Sequence, residues 1–311
     1  MAKGFVVNTP YDDVFRTMLN DCSRLIIPVI NEIFCENYRG DEKIVFSPEI
    51  HFVNQQDGEE TKRITDSSFE IIGEKETKFL LECQSTADSS MLIRIFEYAT
   101  QIALDQGELE NNVLKVEIPR SAILFLRSNG ATPDKMTIEI KTPGGVNSFD
   151  VPVMKAQKYS IDDIFEKGLL FLIPFYIFSH ESRFQEYELD EDALKELKIE
   201  YMEIVKRLDS LLENGSISVY TKKMIVEMSN KVVNHLAQKY DNVKEGVTSI
   251  MGGKVLEYEA KQILNEGKIE GRIEQARETA QVLRGMGISE EKIAKAVNVS
   301  IGVLKEWFSA N

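Results

Sequence analysis

Asp66, Glu82 and Gln84 are the side chains best suited to chemistry, because each sits in an apolar, strand-like segment, Arg63 to Ile72 or Lys78 to Ser85. Gly73 to Thr77 is a polar stretch opening with glycine, and it reads as a hairpin turn joining them. Centred near Lys75, that hairpin sets Asp66 opposite Gln84 and Ser68 opposite Glu82. Alternation along the strand then puts Glu82 and Gln84 on one face. Opposed Cβ atoms lie about 5 Å apart and diagonal ones about 7–8 Å apart, so Asp66 and Glu82 leave room for one hard divalent cation. The competing reading is a pair of strand-edge acids facing solvent or a structural arginine, since carboxylates among apolar neighbours mark functional sites only statistically.

The elements that must position these groups follow from apolar spacing. Thr9 to Cys35 is predicted helical, with Val14, Phe15, Met18, Leu19, Leu25, Ile26 and Ile30 on one face and a break or kink at Pro28. Glu49 to Asn54 is a strand candidate, and Ser89 to Gln106 a helix ending before Gly107. Ser121 to Arg127 is a continuous apolar run of strand length, as expected for a central strand covered on both faces. Met136 to Thr142 and Phe149 to Met154 make a further hairpin around Pro143-Gly144-Gly145, and Ser160 caps the helix that follows.

Three short words in this order carry a resemblance: Tyr11-Asp12-Asp13-Val14-Phe15 in the first helix, Glu82-Cys83-Gln84, and Arg94-Ile95-Phe96-Glu97-Tyr98 in the helix after it. From Tyr11 to Phe178 the chain resembles the PD-(D/E)XK nuclease-like family of bacterial transposases and recombination-promoting nucleases. The resemblance implies an α/β (α+β) restriction-endonuclease-like core, a mixed sheet flanked by helices, followed by an all-helical C-terminal region. It implies Asp66, Glu82 and Gln84 as catalytic residues, and Mg²⁺, for which Mn²⁺ substitutes, held by Asp66, Glu82 and the backbone carbonyl of Cys83. Asp12 would add a carboxylate from the first helix. Arg94 and Tyr98, one turn apart, would bind a phosphate or brace the carboxylates, or else form an ordinary internal ion pair. The implied substrate is double-stranded DNA. Two positions depart from the pattern: Thr65 stands where proline is expected and Gln84 where lysine is expected. Glutamine donates a hydrogen bond but carries no charge and accepts no proton at neutral pH.

Bulk properties bound these expectations. The 311 residues carry a formal charge of −14, most of it in the first 180 residues, which opposes strong general affinity for duplex DNA. The longest apolar run, Gly168 to Phe178, is interrupted by Pro174 and is far shorter than the roughly 20 residues that span a bilayer. Cys22, Cys35 and Cys83 have no metal-finger spacing. A cytoplasmic protein without a membrane partner is expected. His51, His180 and His235 form no nucleophile or zinc pattern, and no phosphate-binding or dinucleotide glycine word is present.

The resemblance implies a nuclease-like domain over 1–180, and the change of composition after the acidic segment Glu186 to Asp192 sets off a helical region over 181–285 and a helix-turn-helix-like segment over 286–311. In the last, Ile288, Ile293, Val297, Val299, Leu304 and Trp307 supply an apolar face, while Lys292, Lys295 and Lys305 are offset by Glu290, Glu291 and Glu306. That balance favours a structural or homo-oligomerising role over DNA reading. The function expected is metal-dependent DNA cleavage; the alternative is a weak or inactive relative acting as a DNA- or protein-binding assembly module.

Overall fold

The computed structural model describes residues 10–46, 50–52, 63–65, 67–74, 76–85, 90–252, 276–277, 279–297, 299 and 301–309. Its N-terminal helix begins at Pro10, whose fixed φ suits a first helical turn, and is shorter than the spacing suggests. Helix α1 spans Pro10–Asp21, a 3-10 turn covers Ser23–Leu25, and α2 runs over Ile26–Phe34. The break precedes Pro28, which sits in the first turn of α2 where its missing N–H leaves no hydrogen bond unmade.

The chain is mixed α/β. Strands β1 (Lys43–Phe46), β4 (Ser68–Ile72), β5 (Glu76–Gln84), β8 (Arg120–Phe125), β9 (Lys135–Thr142) and β10 (Gly145–Lys155) form one six-stranded sheet in the order β1-β4-β5-β8-β10-β9. β5, β8 and β10 run parallel at its centre, and the outer pairs are antiparallel. Two small ribbons pair β2 (Ile50–Phe52) with β3 (Arg63–Thr65) and β6 (Glu108–Glu110) with β7 (Val113–Lys115). The run containing β8 is buried from Ser121 to Leu126, as a strand covered on both faces requires.

Helix α3 (Met91–Asp105) makes the crossover from β5 toward β8. Its inner stripe, Met91, Ile95, Tyr98, Ala99 and Ile102, packs on Leu80, Ile123, Phe125, Ile138 and Val151. Phe79 points to the opposite face, where its ring lies 5.3 Å from Phe34 and 5.9 Å from Phe69. Truncating such a fully buried ring to alanine costs about 3–5 kcal/mol.

The hairpin between β4 and β5 is tighter than expected. Ser68 faces Leu80, not Glu82, and Ile72 faces Glu76, so only three residues make the turn. The slip is two residues, an even number, so every side chain keeps its face.

After Ser160, whose side chain forms a capping box with Asp163 at the start of α4 (Ile161–Glu166), a 3-10 stretch covers Leu170–Arg183 and buries most of its apolar side chains. Helices α5 (Phe184–Leu189), α6 (Glu191–Glu213), α7 (Val219–Leu236) and α8 (Asp241–Met251) follow. Helix α7 packs against α1 and against the 170–183 stretch. Tyr11 lies between Phe178 and His235, 4.9 and 5.2 Å away, and Phe15 lies 5.3 Å from Phe171. The helices therefore belong to one compact unit with the sheet, Met1–Gly252, and they fix where α1 meets it.

The second unit, Gly253–Asn311, holds helices Glu290–Ala296 and Ile301–Ser309. Ile293 and Leu304, two residues of the expected apolar face, are buried in its own small core with Ala280 and Ala294. Among the described residues no helix is long and apolar enough to cross a membrane.

Candidate functional site

Glu82 and Gln84 occupy the carboxyl end of β5, beside the carboxyl end of parallel β8: Glu82 pairs with Ile123 and Gln84 with Phe125. Alternation puts them on the α3 side together with Leu80. Ligands of open α/β sheets collect at such strand ends.

Glu82 is enclosed yet not sealed, with a little of its surface still accessible. Ser67 Oγ donates to its Oε1 at 3.1 Å, and the Leu81 amide donates to the Ser67 carbonyl at 3.1 Å, which anchors that serine beside the strand. Burial pushes the Glu82 carboxyl up to about 7; Arg94, the Ser67 hydrogen bond and Arg16 oppose that rise, and Asp12 adds to it. Burial thus outweighs two guanidinium groups and a hydrogen-bond donor.

The remaining expected residues gather unevenly. Asp12, partly buried in the first turn of α1, acts electrostatically on both Glu82 and Cys83. Asp13 faces out and pairs with Lys231 at 3.6 Å. Arg94 is buried in the first turn of α3, with one guanidinium nitrogen 3.7 Å from Met91 Sδ. Tyr98, one turn later, is buried within the α3–sheet core. The Cys83 side chain projects to the face opposite Glu82 and is buried, which drives its thiol well above the ordinary range, with Asp12 and Glu82 adding to the effect. That thiol stays protonated and offers no thiolate; only its backbone carbonyl remains relevant. Gln84 is partly exposed, and its carbonyl accepts from the Leu126 amide at 2.8 Å. Asp66 lies outside the described residues.

Sequence reasoning missed Arg16, Ser67 and Arg127. Arg16 follows Asp12 by four positions, which places both on one side of α1, and that spacing was the available signal. Arg127 donates to the Ser85 carbonyl at 3.1 Å and to both carboxylate oxygens of Glu181 at 2.5 and 2.8 Å, with its guanidinium 4.8 Å over Phe178. It ties the end of β5 to the 170–183 stretch. Among the described residues no group of three or more His, Cys, Asp and Glu side chains is gathered for a metal. Glu82 and Asp12 offer the carboxylate oxygens that a hard cation takes, and burial disfavours the Glu82 charge that such a cation would stabilise.

No family model, curated protein or solved structure matches this chain.

Proposed function

We propose that the chain is a metal-dependent DNA endonuclease of the PD-(D/E)XK type that hydrolyses phosphodiester bonds. The observation that carries this reading is the Glu82 carboxyl, held near 7 by burial at the carboxyl end of a central parallel strand, with Asp12 and two arginines around it. Arg94, Arg16 and Ser67 lower that carboxyl and burial outweighs them, an environment in which carboxyls concentrate at functional sites. The succession of one helical segment before an antiparallel strand pair and one helix after it supports the same family reading.

In this reading Asp66, Glu82 and the Cys83 carbonyl would hold Mg²⁺ or Mn²⁺, with Asp12 supporting them. The bound ion would acidify a water and offset charge at phosphorus. Gln84 would offer the attacking water a hydrogen bond through its amide and cannot take its proton. Arg94 and Arg16 offset the repulsion between the Glu82 and Asp12 carboxylates and would meet the phosphate when DNA is bound. Ser67 fixes the Glu82 rotamer. A reading as a weak or inactive relative acting in assembly rests on Gln84 in the lysine position and on the net charge of −14.

Supercoiled-plasmid nicking with Mg²⁺ or Mn²⁺ tests the proposal, comparing the native chain with Glu82→Ala and Asp66→Ala. Loss of nicking in both variants is expected. Cleavage undiminished in both would overturn the assignment, and absence of nicking by the native chain would favour the assembly reading.

A further inference from the structure

The ribbon between α3 and β8 breaks the usual rule for apolar side chains. Leu109 is 77% exposed, Val113 55%, Leu114 53% and Val116 48%, and every residue of β6 and β7 is exposed. The ribbon is turned by Asn111 and Asn112, both in the left-handed region at φ 50° and 63°, a backbone asparagine tolerates better than most residues. A lone two-stranded ribbon is marginal in water.

One edge of β7 is taken by β6. Among the described residues no strand pairs with the other edge, and no backbone hydrogen bond reaches Val116, Glu117 or Ile118. Leu114, Val116 and Ile118 alternate with Val113, Lys115 and Glu117. The packing agrees with that alternation. A Cβ on Gly107 would meet both Leu114 Cδ1 and Val116 Cγ1 at 3.2 Å, and Ile118 packs on the α3–sheet core. Pro119, which lacks an N–H, closes the edge.

This edge is complementary to itself in one antiparallel register. With Val116 facing its own copy across a two-fold axis, Lys115 faces Glu117 of the second copy, and Leu114 faces Ile118. Centring on Lys115 would oppose two lysines, and centring the other edge on Leu109 would oppose Glu108 to Glu110. Opposite charges and apolar pairs directly across strands favour a register, and like charges oppose it. A two-fold contact must be complementary to itself.

We propose that the Val113–Ile118 edge is a pairing surface for a second copy of this chain, joined antiparallel about Val116 into a four-stranded sheet. The proposal is independent of the nuclease reading.

Sedimentation equilibrium of the full chain at micromolar concentration tests it, and a mass twice the 35.4 kDa of one chain is expected. Lys115→Glu and Glu117→Lys each place like charges across the axis and should weaken the dimer at least ~10-fold. An equimolar mixture of the two variants restores both opposite-charge pairs and should recover the dimer, which also shows that each variant is folded. Glu110→Gln is the control: it removes the 2.6 Å pair between Lys115 and Glu110 inside the ribbon and should leave the dimer intact. A native chain that sediments as a monomer, dimers that persist in both charge variants, a mixture that fails to recover, or dissociation by Glu110→Gln would each overturn the proposal.

Discussion

Glu82 at the end of β5 and Glu200 on α6 are both partly buried glutamates, and their surroundings push them in opposite directions. Glu200 accepts from Tyr176 Oη at 2.6 Å, and His180 Nε2 lies 3.1 Å away, close in distance though off the line of an ideal hydrogen bond. His180 is itself buried and shares its Nδ1 with Tyr187 Oη at 2.9 Å. Those partners, His180 foremost, lower the Glu200 carboxyl against the effect of burial. At Glu82 burial wins and the carboxyl rises to about 7. The comparison separates a carboxylate satisfied by its neighbours, which ties helices together, from one left under-compensated, on which the proposed metal site rests.

The largest expected effect breaks the comparison at its functional end. Glu82→Ala should lower metal-dependent nicking at least ~100-fold, the scale seen when a group stabilising transition-state charge is removed. Glu200→Ala should leave nicking within about two-fold of native, because its partners are helical and none is a candidate site residue. Equal losses in the two variants, measured on supercoiled plasmid, would show that the difference between the two environments carries no functional information.

Stability against pH should separate them next. The Glu82 carboxyl is raised in the folded chain from 4.5 to about 7. Relative to Glu82→Gln, the native chain is therefore destabilised progressively between those values and fully above them, by as much as about 3 kcal/mol if no solvent reached the group and about 1–2 kcal/mol with its partial exposure. Glu200 is lowered, so its contribution is present above 4.5 and is lost as pH falls through its lower folded value. With 35% of its side chain exposed, the cost of Glu200→Gln at neutral pH should be about 1 kcal/mol once solvent screening is allowed for. Urea unfolding from about pH 3 to about pH 9 reads both slopes; slopes of the same sign would refute the contrast.

How much of this was legible in the sequence depends on the range of the interactions. The central strand β8 was visible because its unbroken apolar run admits few other placements, and α3 because its stripe repeats at helical spacing. The Glu82/Gln84 face was legible too, since alternation survives the two-residue error in register. The register itself was not, because the polar stretch from Gly73 to Thr77 gives no sign that the second strand begins inside it, at Glu76 opposite Ile72. The ribbon of β6 and β7 escaped because its strands are three residues long, with only Asn111-Asn112 to mark the turn. Arg16 could not be tied to Glu82 from spacing alone, since the place of α1 at the strand end depends on Tyr11 and Phe15 packing on Phe178 and Phe171, more than 150 residues later.

A smaller effect sharpens the contrast at the site. Gln84→Lys puts a cation on the Glu82 face, two residues along the strand, and should retain nicking or raise it by up to ~10-fold through a charged donor near the scissile phosphate. The same substitution should bring the Glu82 titration down, which carboxyl NMR shifts report directly. A Glu82 resonance that titrates unchanged would mean the lysine turns away from the site, and any change in nicking would then need another cause.

The smallest effect concerns the boundary at Gly252. The Gly253–Asn311 unit closes a core of its own around Ala280, Ile293, Ala294 and Leu304, while Glu82, Glu200 and all their named partners lie before Gly252. A chain ending at Gly252 should therefore keep its thermal midpoint within about 3 °C, roughly the shift that 1 kcal/mol produces in a domain of this size, and should preserve the opposite pH slopes of Glu82 and Glu200. Nicking should change by less than about two-fold, since the terminal helices bring no electrostatic footprint for DNA. Loss of the Glu82 slope alone on truncation would show that the second unit helps to bury that carboxylate, and the site would then have to be redrawn to include it.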